Sequence, residues 1–237
     1  MDDAKIRTRR QILEVAADIL EREGAQAVST RSVAAAAGIR AASLYQFFGD
    51  KDGLLSALAI HGFDMYLAEK RGLAHSGDPV DAMRRGWDMH VDFGLRHPAF
   101  YLLMFGTDRA GRRAPAADEA GDLLLKYLDR VAAAGRLRVP PALAARLCLA
   151  AVTGVTLTLV GAPAEDRDPE ISARMRDALI DSLTTGPPTD PPPATDTGLA
   201  PRALALDAAL TAADQATLPL RPTETALLRD WLDRLAR

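Results

Sequence analysis

Apolar residues return at helical spacing along almost the whole chain. Between positions 5 and 23 the residues Ile12, Val15, Ala16 and Ile19, flanked by Ile6, Leu13 and Leu20, mark one helix, and Gly24 stands where a C-capping glycine belongs. Ser29 is a capping residue for a second helix of about two turns, carried through Val33 and Ala34 to Ala37 and broken at Gly38. A third short helix is predicted from Ala41 to about Phe48, and Asp50 caps a fourth that runs from Lys51 towards Arg71. Helices this short are unstable alone, so the pattern predicts that they pack on the first helix as a compact bundle.

Further along, Asp78-Pro79 opens a helix to about Arg96, and His97-Pro98 breaks it ahead of an apolar segment from Phe100 to Phe105. Positions 107–115 (TDRAGRRAP) read as a polar loop, after which helical patterns return at about 118–134, 141–160 and 169–183. The segment 143–160 is apolar nearly all round (Leu147, Leu149, Val152, Val155, Leu157, Leu159), which predicts burial on most sides and points to a dimer. A four-helix bundle from this segment and 169–183 of two copies is expected, with Leu149, Val152, Thr156, Met175, Leu179 and Leu183 as contacts. Six prolines within 186–201 read as an extended linker. Two amphipathic helices follow at about 202–216 and 223–236, and Trp231 on the second predicts that this tail docks on the body or on a partner.

Composition agrees with helix. The chain is 48% hydrophobic but only 5% aromatic, rich in Ala, Leu and Arg, so an all-α fold is expected. The pattern divides it into an N-terminal group of short helices (1–50), a helical body (51–186), a Pro-rich linker (187–201) and a C-terminal two-helix extension (202–237). No run of roughly 18 to 20 uncharged apolar residues is read, and MDDAKIRTRR has no apolar core like that of a signal peptide; a soluble, cytoplasmic protein with no membrane partner is expected. The single Cys148 has no companion for a disulfide or a zinc site and reads as a small buried apolar side chain.

Net charge is −3, which argues against coating nucleic acid without specificity. Its distribution says more. Residues 1–51 hold eight Lys/Arg and seven Asp/Glu, net +1, leaving 21 basic and 25 acidic residues, net −4, for the rest. Contact with an anion is therefore expected at the N-terminal end, where Lys5, Arg7, Arg9 and Arg10 cluster.

Between Thr30 and Gly49 several constrained positions of a DNA-reading helix-turn-helix coincide. Ala34 is small where two helices cross, Gly38 permits a left-handed turn, and Val33, Ile39, Leu44 and Phe47 or Phe48 supply buried wedges. The stretch VSTRSVAAAAGIRAASLYQFFGDKDGLLSAL resembles the N-terminal domain of the TetR family of bacterial repressors, most specifically in the run Leu44, Tyr45, Phe48, Lys51, Leu54 and Leu55. HPAFYLLMFG at 97–106 is similar to a segment of the ligand-binding domains of that family, extending a looser resemblance to about Leu183. The resemblance implies a homodimer on double-stranded operator DNA, with Tyr45 and Lys51 on phosphates and Thr30 and Arg31 at the start of the second helix. A recognition helix presents its first turn to base edges, here Arg40, Ala41, Ala42 and Ser43, and Gln46 joins the candidate set. Arg40 is a poor N-cap, so a frayed helix start is expected in the absence of DNA.

The resemblance also implies that 1–50 is a helix-turn-helix DNA-binding domain and 51–186 a helical effector-binding and dimerisation domain. Trp87 and His90 share a helix face, and with Phe100, Met104, Phe105, Tyr127 and Thr153 they are candidates to line a pocket for an unknown small-molecule effector, or equally a packed core. The four histidines (His61, His75, His90, His97) show no metal-ligand spacing, the glycines make no phosphate loop, and no Ser, His, Asp set can be assembled; neither cofactor nor enzymatic activity is expected. Two other readings stay open: a helical ligand-binding or catalytic bundle whose N-terminal domain is purely structural, and a DNA-binding activator answering to a protein partner.

Overall fold

The computed structural model describes residues 3–71, 77–106, 115–186, 198–214 and 218–236. Of the polar loop expected at 107–115, positions 107–114 lie outside the described residues, as do most of the Pro-rich linker (187–197) and His75, while Pro115 already belongs to a helix. Among those described the fold is all-α: α1 (Asp3–Glu23), α2 (Thr30–Ala36), α3 (Ala41–Phe48), α4 (Lys51–Arg71), α5 (Pro79–Arg96), α6 (Pro98–Phe105), α7 (Pro115–Ala133), α8 (Pro141–Gly161), α9 (Pro169–Leu183), α10 (Leu199–Ala212) and α11 (Pro222–Leu235). Pro79, Pro98, Pro141, Pro169 and Pro222 each open their helix, where the missing N–H would have no intrahelical partner. Helix α10 begins at Leu199, inside the stretch expected to be linker; Gly198, at φ 46°, turns the chain into it and Pro201 is accepted in the first turn.

The helices form two compact units. The first comprises 1–72, 89–120 and 156–167. Its core gathers Ile12, Ala16 and Leu20 of α1, Val33 of α2, Leu44 and Phe48 of α3, Leu54 and Leu58 of α4, and Phe100 and Leu103 of α6. The helix-turn-helix thus shares one core with α6 rather than standing as an isolated bundle. Helices α4 and α6 approach closely at Gly62, where a Cβ would lie 2.8 Å from Met104 Sδ and 2.9 Å from Phe100 Cδ1.

The second unit comprises 73–88, 121–155 and 168–237. Val80, Met83, Leu128, Val131, Leu137, Ile180 and Leu183 pack there with Ala203 and Leu204 of α10 and Leu232 of α11. Buried Arg136 donates to Asp78 and, from Nε, to the Thr185 carbonyl at 3.1 Å, while the Arg138 N–H donates to the Leu183 carbonyl at 2.8 Å. The segment after α7 is thereby stitched to the end of α9.

The tail docks on the body, as expected, but not through the residue that suggested it. Trp231 is 51% exposed, with Leu227 and Leu235 beside it at i−4 and i+4, whereas Leu232 points inward. The apolar arc of α11 is wider than the contact it makes.

Helix α8 differs from expectation in two respects. Ala144, Cys148, Val152, Val155, Thr156, Leu159 and Val160 are buried, but Leu143 and Leu147 are not, so one face remains open in the single chain. By length and composition α8 also passes as a candidate membrane span, contrary to the expectation that no run is long and apolar enough; 39% of that stretch is buried inside the chain. Of the residues expected to meet a partner, Val152, Thr156 and Leu183 are instead consumed inside the subunit, since an apolar period of 3.6 marks an inward face without saying whose core it enters.

Candidate nucleic-acid interface

Three local devices shape the region from Ser29 to Lys51. Ser29 caps α2: its Oγ accepts from the Ser32 N–H at 3.0 Å, and Ser32 Oγ accepts in return from the Ser29 N–H at 3.0 Å while donating to the Ala27 carbonyl at 2.7 Å. At the other end of α2 the Gly38 N–H donates to the Ala35 carbonyl at 3.3 Å and the Ile39 N–H to the Ala34 carbonyl at 3.0 Å, a Schellman closure that requires the left-handed φ of 66° at Gly38. Asp50 caps α4 through Oδ1, which accepts the Gly53 N–H at 2.7 Å.

Arg40 holds the N-cap position of α3 with no side-chain capping bond, in line with the expectation of a poor cap. The Asp50 carboxylate faces the positive end of α4 beside Lys51, so that helix terminus already has an anion of its own.

Around this frame the wedges and the presented groups separate cleanly. Val33, Ala34, Leu44 and Phe48 are buried, and Phe48 rather than Phe47 is the deeper of the two rings. Arg31, Arg40, Ala41, Ala42, Tyr45, Gln46 and Lys51 are exposed, with Thr30 and Ser43 half-buried. Helices α2 and α3 bring Thr30 Oγ1 to 3.4 Å from the Tyr45 hydroxyl, so the start of one and the second turn of the other present polar groups side by side. Tyr45 is 52% exposed, its hydroxyl beside that of Thr30.

Two features of this region were not named from the sequence. A Cβ at Gly53 would lie 1.9 Å from the Phe48 carbonyl oxygen, so only glycine fits where α3 hands over to α4. The Arg9 guanidinium of α1 stands over the Phe48 ring, 5.1 Å from its centroid.

The effector candidates fall in both units. In the first, His90 is buried and both its ring nitrogens are engaged: Nδ1 lies 2.8 Å from the Tyr66 hydroxyl of α4 and Nε2 lies 2.7 Å from the Tyr101 hydroxyl of α6. Burial, and then the charge of Lys70, hold the imidazole well below its ordinary titration range, and burial, then Tyr101, push the Tyr66 phenol up. A neutral imidazole has one donor and one acceptor nitrogen, so one tyrosine donates to His90 and the other accepts from it. Phe105, half-buried, packs at 4.7 Å from the Tyr101 ring and 5.4 Å from the His90 ring; Phe100 is buried and Met104 half-buried, both against Gly62. Tyr66 escaped the sequence reading because one tyrosine in an apolar helix looks like core until its hydroxyl finds a partner on another helix.

In the second unit Trp87 is buried and its Nε1–H donates to Ser172 Oγ at 3.0 Å. Tyr127 is buried, and the Thr153 hydroxyl is shielded from solvent without a hydrogen-bond partner among the described residues.

Comparison with known proteins decides what this architecture is. Residues 12–58 match the profile of bacterial regulatory proteins of the tetR family, and residues 83–183 match that of the tetracyclin repressor-like C-terminal domain. The chain belongs to the TetR family. It is therefore a transcriptional regulator, in a family of regulators rather than of enzymes. The HTH-type transcriptional repressor LfrR of Mycolicibacterium smegmatis is 29% identical to it over 187 residues, covering 77% of this chain and 92% of LfrR. A Rhodococcus sp. RHA1 protein of unknown function has the same fold at a TM-score of 0.61 with 26% identity, covering 75% of this TetR-family chain and 96% of its own. A putative tetR family regulator from Shewanella sp. PV-4 follows at a TM-score of 0.59 and 19% identity, covering 76% and 99%. The two helices of the C-terminal extension, α10 and α11, lie beyond the matched part of this TetR-family regulator, which ends at Leu183.

Proposed function

We propose that this regulator is a repressor that binds a palindromic operator as a homodimer and is released by a small-molecule effector. The observation that carries the reading is the polar surface running from α2 through α3 to the start of α4, where Arg31, Arg40, Tyr45, Gln46 and Lys51 are exposed around a buried frame of Val33, Leu44 and Phe48. Thr30, Tyr45 and Lys51 serve as the phosphate clamp, and Arg31 and Arg40 with Ala41, Ala42 and Ser43 read base edges. A bidentate Arg40 contact to guanine contributes about 1–3 kcal/mol of discrimination, and the alanine methyls meet thymine methyls. The similarity to LfrR, a repressor, supports repression over activation.

Dimerisation is supported by apolar side chains left open in the single chain, Leu143 and Leu147 of α8 and Ile171 and Met175 of α9, each pair at i, i+4. Candidate effector contacts lie in each unit: His90, Phe100, Met104 and Phe105 in the first, Trp87, Tyr127 and Thr153 in the second. Release is a shift between two head spacings, favoured by whichever conformation binds the effector more tightly. The protein then works in the cytoplasm, where its operator is.

A gel-shift titration with the DNA upstream of its own coding region tests the reading. The double variant Arg31→Ala, Lys51→Ala is expected to bind roughly 100-fold more weakly or worse, because each subunit loses two charge-assisted hydrogen bonds. Unchanged affinity would sink the assignment. Thermal stabilisation of the purified protein across a metabolite library is the route to the effector.

A further inference from the structure

The inward face of α1 changes character before the helix ends. Ile12, Ala16, Ile19 and Leu20 are buried in the core of the first unit, and one and two turns back along that face stand Arg9 and Lys5, both exposed. Beyond the point where the core stops, the same face becomes cationic.

Arg9 is exposed but not loose, since its guanidinium is seated 5.1 Å from the centroid of the Phe48 ring. A contact with an aromatic face orients a guanidinium without neutralising it, and its N–H donors stay open to a second partner. Other cations of α1 are already committed: Arg10 Nε donates to Glu14 at 3.0 Å and Arg22 Nε to the Asp18 carbonyl at 3.2 Å. Among the described residues Arg9 makes no ion pair. In the chain, Phe48 lies three residues after Tyr45 and three before Lys51, the two residues assigned to phosphates.

We propose that Arg9, held over Phe48, contacts a backbone phosphate of duplex DNA and extends the footprint from α3 and the start of α4 onto α1, with Lys5 as the second cation of that arm. The inference rests on the reading of α2 and α3 as the DNA-binding element. A phosphate of duplex DNA is the fitting anion because Tyr45 and Lys51, on either side of Phe48 in the chain, are exposed polar groups with the same preference. The contact carries no base information; it adds affinity and fixes the angle of the recognition helix on the groove.

A packing role for Arg9, its stem covering Phe48 from water, is the rival explanation, and salt dependence separates the two. Arg9→Met keeps an apolar stem and removes the charge, Arg9→Lys keeps the charge, and Lys51→Met is the reference for a lost phosphate contact. The full-length proteins are titrated by fluorescence anisotropy against a random-sequence duplex of roughly 30 base pairs, room for two half-sites a turn or more apart, from about 50 to 200 mM salt.

Arg9→Met is expected to flatten the slope of log K against log salt by about 1 for each subunit engaged, and Arg9→Lys to retain it. Its urea midpoint stays at the wild-type value. If Lys51→Met flattens the slope while Arg9→Met leaves it unchanged, the assignment of Arg9 falls and the DNA-binding reading stands. A lowered urea midpoint with an unchanged slope makes Arg9 a packing residue and likewise overturns the proposal. Absence of wild-type binding at the lowest salt overturns the DNA-binding reading itself, and the proposal with it.

Discussion

At the scale of single residues, steric demand and chemical demand fall on neighbouring positions between Phe48 and Gly53. The Phe48 carbonyl oxygen would lie 1.9 Å from a Cβ on residue 53, and the oxygen belongs to backbone that both helices hold in place. Gly53→Ala is therefore expected to cost roughly 2 kcal/mol or more in urea unfolding, by forcing α3 and α4 apart, and to weaken DNA binding as a consequence. The neighbouring Asp50 and Lys51 are constrained by charge instead, one satisfying the helix start and the other presenting its ammonium to solvent. Glycine 38 could be assigned its left-handed turn from the sequence alone because the requirement is local. Gly53 could not, because its neighbour is a carbonyl whose position depends on how α3 ends.

At the scale of elements, His90 ties three helices together. Tyr66 of α4, His90 of α5 and Tyr101 of α6 form one buried chain of hydrogen bonds, with Phe93 and Phe105 packed on the rings and Lys70 seated over Tyr66. Burial keeps His90 neutral in the folded protein, whereas in the unfolded chain it titrates near its ordinary value of about 6.5. The unfolded state thus binds the extra proton first as pH falls. Stability from this group is fully present above about pH 6.5 and declines below it by up to roughly 1.4 kcal/mol per pH unit. Denaturant titrations between pH 7 and pH 5 are expected to show this decline in the wild type and a shallower one in His90→Gln; equal slopes would refute the role of His90. The position of His90 on a helix face was legible in the sequence. Its hydroxyl partners come from residues 24 positions before and 11 after, a pairing that no local pattern encodes.

At the scale of the whole molecule, the apolar positions of α8 and α9 divide between the subunit's own core and the face left open. Leu183 and Val152 are spent inside, while Leu147 and Met175 are 40% and 46% exposed. If the protein dimerises through this face as proposed, Leu147→Glu combined with Met175→Glu is expected to leave a folded monomer, read by light scattering after gel filtration with an unchanged helical circular dichroism spectrum. Leu183→Glu is expected to unfold the second unit instead, because it places a carboxylate in that core. If the double variant stayed dimeric, the association surface would lie elsewhere.

The sequence by itself determined the helical class, nearly every helix boundary and the frame of the helix-turn-helix. Those depend on periodicity, capping residues and turn glycines that act within a few positions of one another. Only the tertiary structure decided which apolar faces are buried within one chain, as at Val152, or left open, as at Trp231. It alone decided which polar atoms meet, as at His90, and where a cation is held by a distant ring, as at Arg9 and Phe48. The physical reason is common to all three: burial, hydrogen bonding and cation–ring contact depend on distances between side chains far apart in the chain. A one-dimensional pattern constrains those distances only through the way its helices finally pack.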